Sequence, residues 1–146
     1  MRILILNGPN LNLLGRRSPE LYGRETLDDI EALLRARAAE YAVELSFAQS
    51  NHEGELVDEI QQHADWDGLI INAGAYTHTS IAIADAIEGV EIPTIEVHLS
   101  NVFQREEFRQ ISYLSPIVWG QVVGFGYRGY LAALDLLHDR LNEEDS

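Results

Sequence analysis

Two of the most reactive side chains are missing from this chain altogether. It has no cysteine, which excludes disulfides, thiolate metal sites and a cysteine nucleophile. It has no lysine either, since all 10 basic residues are arginine. A Schiff-base mechanism, a pyridoxal anchor and a phosphate-loop lysine fall together. Long apolar runs are also absent, and nothing approaches the roughly 18 residues of a membrane span. The opening MRILILNGPN carries only a short apolar run before Asn7 and Gly8, so it does not read as a signal peptide. Positive charge is scarce: 24 acidic residues against 10 arginines leave a net charge of −14. That balance disfavours nucleic acid and anionic membrane as partners. A cytoplasmic protein is expected, and an acidic, lysine-free surface is of the kind a salty cytoplasm favours.

What is present is globular. The 146 residues, 46% of them apolar, suffice for one well-formed core and not for two, so a single domain over 1–146 is expected. Strand and helix periodicities alternate along the chain. RILIL (2–6) is a short apolar strand running into the turn-rich NGPNLN. Thr26 with Asp29 resembles a capping box, and Leu27, Ile30, Leu34 and Tyr41 follow at helical spacing. Val43, Leu45 and Phe47 alternate as a half-buried strand. Ser50 with Glu53 predicts a second capping box ahead of a helix carrying Leu56 and Ile60. GLIIN (68–72) is the third strand, followed by AGAYTHTS and a helix through about Ile87. PTIEVH (93–98) is the fourth strand, and PIVWGQVVGF contains the fifth. Tyr130, Leu134, Leu137 and Leu141 stripe a last helix before NEEDS (142–146), expected to fray.

Five strands alternating with helices predict a parallel sheet covered on both faces, a three-layer α/β sandwich. At this length the flavodoxin-like arrangement is the common one. Ligands in such folds sit beyond the carboxyl ends of the strands. The polar loops NGPNLN, NAGAYTHTS and HLSN follow strands one, three and four, so all three fall at that edge.

Several constellations there invite a chemical reading. GFGYRG (124–129) matches a dinucleotide-binding fingerprint, but it follows the last strand and lacks the required βαβ unit, which leaves a glycine-rich turn. His52, His63 and His138 read as surface or capping residues. His78, His98 and Glu96 could form a two-histidine, one-carboxylate metal site, although no tight helical pair supports it. Glu96 and His98 lie two apart on a strand and therefore share a face. A carboxylate so placed fixes a histidine's tautomer and raises its basicity. The bland alternative, a satisfied core histidine, is weakened by the three polar loops meeting beside it. Asn7, Asn10, Asn12, Asn72 and Asn101 add neutral amides suited to hydroxyls, while arginine suits a carboxylate. The residues thus point to acid–base chemistry on a small polyhydroxylated acid, with no metal or cofactor. A receiver-like binding module is disfavoured, because Asn7 and Asn72 stand where acidic residues would be needed and lysine is absent.

The blocks NGPNLNLLG, SPELYG, QSNHEGEL, INAGAYTHTS, EVHLSN and SPIVWGQVVGFG resemble, in order and spacing, the type II 3-dehydroquinate dehydratases. The resemblance spans nearly the whole chain. It implies a flavodoxin-like fold, a homododecamer built from trimers, and trans elimination of water from 3-dehydroquinate to 3-dehydroshikimate through an enolate. That step serves either aromatic biosynthesis or quinate breakdown. By the same resemblance Tyr22 is the base, Arg17 the lid arginine beside it, His98 the general acid and Glu96 its partner. Asn12 orients a water on the enolate oxygen. Asn72, His78 and Arg109 bind substrate, the backbone at Leu99 and Ser100 cradles its carboxylate, and Asp85 serves a neighbouring subunit's site. Ala73 stands where many members carry proline, which alters loop stiffness and not chemistry. A base, an acid and a water-held enolate require neither lysine nor metal, in keeping with what the composition lacks.

The stretch GRRSPELYG (15–23) then makes physical sense as a lid. A phenol has a reference pKa near 10, so only about 0.1% is ionised at pH 7. A positive charge within about 4–6 Å favours the phenolate, and Arg17 is the candidate the loop itself supplies, with Arg16 as its solvated neighbour.

Overall fold

The computed structural model describes residues 1–144. Each expected strand forms: β1 (Arg2–Asn7), β2 (Glu44–Gln49), β3 (Gly68–Asn72), β4 (Thr94–His98) and β5 (Gly120–Val123). All pairings are parallel, and the spatial order is β2-β1-β3-β4-β5. This is the flavodoxin-like order, in which the strand sequence reverses between β1 and β3 and opens a crevice at their carboxyl ends.

Side-chain alternation builds the two outer layers. Along β1, Ile3 and Ile5 face one side and Leu4 and Leu6 the other, and all four are buried. The first face packs on α2 (Leu27–Tyr41) through Ile30, Leu34 and Ala38, and on α5 (Arg128–Glu144) through Tyr130, Leu134, Leu137 and Leu141. The second packs on α3 (Glu53–Gln62) through Leu56 and Ile60, and on α4 (Ile81–Val90) through Ile83 and Ile87. Burying both faces explains why β1 and β3 read as continuous apolar runs rather than as alternating ones.

Local signals succeeded where the chain's own neighbours decide and failed where packing overrides them. Thr26 and Asp29 form the expected reciprocal cap, with backbone-to-side-chain distances of 3.0 and 3.1 Å. The Ser50–Glu53 box does not form. His52 caps α3 without a side-chain bond, while Ser50 Oγ accepts from the His52 N–H at 2.9 Å and donates to Glu55. The serine thus bonds a carboxylate two residues further along than the box requires. Pro93 stays outside β4, although its carbonyl accepts from Leu69 N–H at 2.8 Å. At the carboxyl end Asn142–Glu144 belong to α5, and Asn142 Nδ2 lies 3.1 Å from His138 Nε2. Residues 145–146 lie outside the described residues. No helix among the described residues is long and apolar enough to cross a membrane.

Backbone bonds knit the loops together beyond the strand ends. Gly8 N–H donates to Asn72 O at 2.8 Å, and a Cβ at Gly8 would stand 2.3 Å from Ala73 O. Only glycine allows the loops after β1 and β3 to meet this closely. The GFG turn after β5 does the same for β4, with Gly124 N–H donating to His98 O and Gly126 N–H to Leu99 O, at 3.1 and 2.9 Å. Both glycines have positive φ, at 93° and 59°. The G-x-G motif is therefore a brace under the β4 loop.

Candidate active site

A cleft of about 200 Å³ opens at the carboxyl ends of β1, β3 and β4. The loops after those strands supply its walls, and its floor includes Asn72 and His98. On β4, Ile95 and Val97 enter the core on the α2/α5 side, so Glu96 and His98 project to the opposite face. Both are buried, and His98 Nε2 bonds directly to Glu96 Oε2. This leaves Nδ1 as the ring nitrogen free to exchange a proton with a ligand.

Glu96 is held from two further sides. Gln121 Nε2 donates to Oε1 at 3.0 Å, and Ser112 Oγ lies 2.9 Å from Oε2. Ser112 is itself fixed by the Leu114 and Ser115 N–H groups, each donating to its Oγ at 3.1 Å. A hydroxyl that accepts two backbone bonds directs its one hydrogen to the carboxylate. The dyad is thus oriented by its surroundings as well as by its own contact.

His78 lies across the cleft, its ring 6.4 Å from that of His98. Its Nδ1 is 2.7 Å from the Ile111 carbonyl, which can only accept, so Nδ1 carries the hydrogen. Burial holds this imidazole below the ordinary histidine range, partly offset by that backbone bond. Neutral His78 therefore offers a lone pair at Nε2, suited to a substrate hydroxyl. With Nδ1 of His78 and Nε2 of His98 both engaged, the two rings are not poised as a ligand pair. Among the described residues no group of three or more His, Cys, Asp or Glu side chains could hold a metal ion.

The lid differs from a plain loop. Pro19 opens a single helical turn, α1 (Pro19–Tyr22), after Ser18 at φ 41°, and Gly23 closes it at φ 93°. Proline at the first helical position presets its φ for the turn. The turn folds Tyr22 back onto Arg17, whose Cζ stands 5.1 Å from the ring centroid. A second guanidinium was not foreseen: Arg105 Cζ lies 5.2 Å from the same ring. Arg105 follows β4, and its Nη1 also reaches Ser100 Oγ at 3.4 Å. Tyr22 is therefore flanked by two cations, one from the lid and one from the body of the protein.

The other expected residues divide clearly. Arg17, Tyr22, Asn72, His78, His98, Leu99, Ser100 and Arg109 line the cleft together. Arg109 is paired with Glu106 at 2.5 Å, which holds that carboxyl below its usual range. Glu96 stands behind His98. Asn12 is exposed on the short turn Leu11–Leu13 and does not line the cleft, where Pro9, Asn10 and Leu11 appear instead. Asp85 is exposed on α4, away from the cleft of its own chain. Arg105, Ser112 and Gln121 had no local signal. The only hint was that the block after HLSN lies at the ligand edge and carries arginines.

A doubly covered parallel sheet in this order, with a buried histidine–carboxylate pair and a cation-flanked tyrosine at its carboxyl edge, defines a flavodoxin-like protein equipped for acid–base chemistry on a small anion. Comparison with known proteins narrows the class. The family model described as "Dehydroquinase class II" matches residues 1–138, and the chain belongs to that family. It is 54% identical to a 3-dehydroquinate dehydratase of Dinoroseobacter shibae, covering 100% of this chain and 98% of the relative. It is 58% identical to one of Azorhizobium caulinodans, covering 92% of each. Its backbone is similar to that of the type II dehydroquinase of Butyrivibrio crossotus, with a TM-score of 0.91, 47% identity, and coverage of 94% of this chain and 97% of that one.

Proposed function

We propose that this chain is a type II 3-dehydroquinate dehydratase, a hydro-lyase that converts 3-dehydroquinate to 3-dehydroshikimate by trans elimination. The observation that carries the reading is the meeting, in one cleft, of a tyrosine flanked by two guanidiniums and a histidine backed by a buried carboxylate. Each half of the reaction has its group. Tyr22, as phenolate, removes the C2 proton α to the ketone. The C2–H electrons pass into an enolate, on whose oxygen Asn12, exposed outside the cleft in this structure, orients a water once the lid closes. The enolate then expels the β-hydroxyl, which takes a proton from His98 Nδ1 and leaves as water. Arg17 and Arg105 stabilise the negative charge on Tyr22, and Glu96 stabilises the positive charge on His98. Asn72, His78 and Arg109 hold the substrate's oxygens, and the Leu99–Ser100 backbone cradles its carboxylate. Closure of the lid excludes water and completes the set.

The direct test is spectroscopic, because the product is a conjugated enone. Ultraviolet absorbance is expected to grow when purified protein meets 3-dehydroquinate, and the rate is expected to be unchanged after dialysis against a chelator. Loss of activity to chelator would restore a metal site on His78, His98 and Glu96.

We infer that Asp85 serves the site of a neighbouring subunit, so that the catalytic unit is at least a trimer. The resemblance to the family implies that the whole is a cytoplasmic homododecamer, a tetramer of trimers. Ile81 lies one turn before Asp85 on the same exposed face of α4 and is 59% exposed. Phe108 and Ile111 are likewise exposed, at 63% and 65%. Large apolar side chains left open in this way are expected to be covered. Light scattering is expected to give a multiple of three chains, and a fully active monomer would contradict the assignment.

A further inference from the structure

Among the described residues Tyr130 is the largest fully buried side chain, and its phenol is not used by the elimination. It stands on α5 beneath the crevice, between Asn7 at the end of β1 and Asn72 at the end of β3, which are register partners in the sheet. Its hydroxyl donates to Asn7 Oδ1 at 2.5 Å, and Asn72 Nδ2 donates to it at 3.1 Å. Asn72 Oδ1 in turn accepts from the Gly74 N–H at 3.1 Å.

The direction of this chain of bonds is fixed by chemistry. A backbone N–H can only donate, so the end of the Asn72 amide facing Gly74 must be its oxygen. Its nitrogen therefore faces Tyr130, whose oxygen accepts, and the single phenolic hydrogen goes to Asn7. Burial pushes the phenol well above its ordinary value, with the Asn72 bond a smaller opposing effect, so the hydrogen stays in place at any working pH. One N–H and one lone pair of the oxygen of Asn72 are thereby committed. The amide borders the cleft, and the one hydrogen it has left to donate is its second N–H.

We propose that Tyr130 is a positioning residue that holds the Asn72 amide in the orientation the Gly74 N–H dictates, so that its remaining N–H is presented to a substrate oxygen that accepts. Together with the acceptor at His78 Nε2, this gives the cleft hydrogen-bonding groups of opposite character at Asn72 and His78. The proposal rests on the dehydratase reading.

The test is a double-mutant cycle of Tyr130→Phe and Asn72→Ala, read in kcat/KM for 3-dehydroquinate with thermal unfolding recorded for each protein. Removing the phenol oxygen leaves a buried amide N–H without its partner, and kcat/KM is expected to fall about tenfold, mainly through KM. In the Asn72→Ala background the same change is expected to alter kcat/KM by no more than about twofold, because the group it acts through is gone. An equal loss in both backgrounds, or no loss at all, would overturn the proposal and leave Tyr130 a packing residue. If Tyr130→Phe does not fold, Asn7→Leu breaks the same chain from its other end and is taken through the same cycle with the same expectations. A wild-type chain that leaves 3-dehydroquinate untouched would overturn the dehydratase reading and this inference with it. An active wild type with additive variants overturns the inference alone.

Discussion

Tyr22→Phe is expected to lower turnover by at least about 10²–10⁴-fold while leaving substrate affinity nearly unchanged. The substitution removes one oxygen and keeps the ring. The cation–π contacts with Arg17 and Arg105 act on the ring face, so the closed lid keeps its packing. The loss therefore falls on kcat and not on KM. Steady-state kinetics with calorimetric titration of a competitive ligand separates the two, and near-normal turnover would reduce Tyr22 to a packing residue of the lid. The flanking cations add a pH signature. A phenol with a reference pKa near 10 is about 0.1% ionised at pH 7, so the residual activity of Arg17→Ala is expected to rise toward alkaline pH. Because Arg105 comes from outside the lid and faces the same ring, Arg17→Ala is expected to be less damaging than Arg17→Ala combined with Arg105→Ala.

The second large effect belongs to His98. His98→Ala removes the proposed proton donor to the leaving hydroxyl and leaves Glu96 buried without its histidine partner, although Ser112 and Gln121 still bond it. Turnover is expected to fall by about 10²–10⁴-fold, with the protein still folded. Circular dichroism and thermal unfolding check the fold, and product formation checks the chemistry. Activity within a few-fold of wild type would move the acid elsewhere in the cleft.

Much of this architecture was legible in the sequence because it rests on local pattern. GLIIN matched β3 residue for residue, since an apolar run bounded by a glycine and a polar loop leaves little choice. The pairing of Glu96 with His98 followed from strand alternation alone. What escaped depended on contacts between distant segments. Arg105 meets Tyr22 only because the loop after β4 and the lid after β1 return to the same edge of the sheet. Ser112 and Gln121 lie in different segments, and neither carries a pattern that announces a carboxylate beside it. Tyr130 was legible as one position in an apolar helical stripe, but its hydroxyl was not. The Ser50–Glu53 box misled because α3 begins only at Glu53 with His52 as its cap, while Ser50 accepts from the His52 N–H and donates to Glu55. Asn12 was read from the motif alone, and its side chain is exposed and outside the cleft in this structure.

The central claim is a proton abstraction by the lid tyrosine followed by loss of the hydroxyl from the opposite face. It is tested most directly with 3-dehydroquinate carrying deuterium at the C2 position trans to the leaving hydroxyl, with the product weighed by mass spectrometry. 3-Dehydroshikimate without the label is expected. Product that retains the deuterium, as syn elimination would give, would contradict this course.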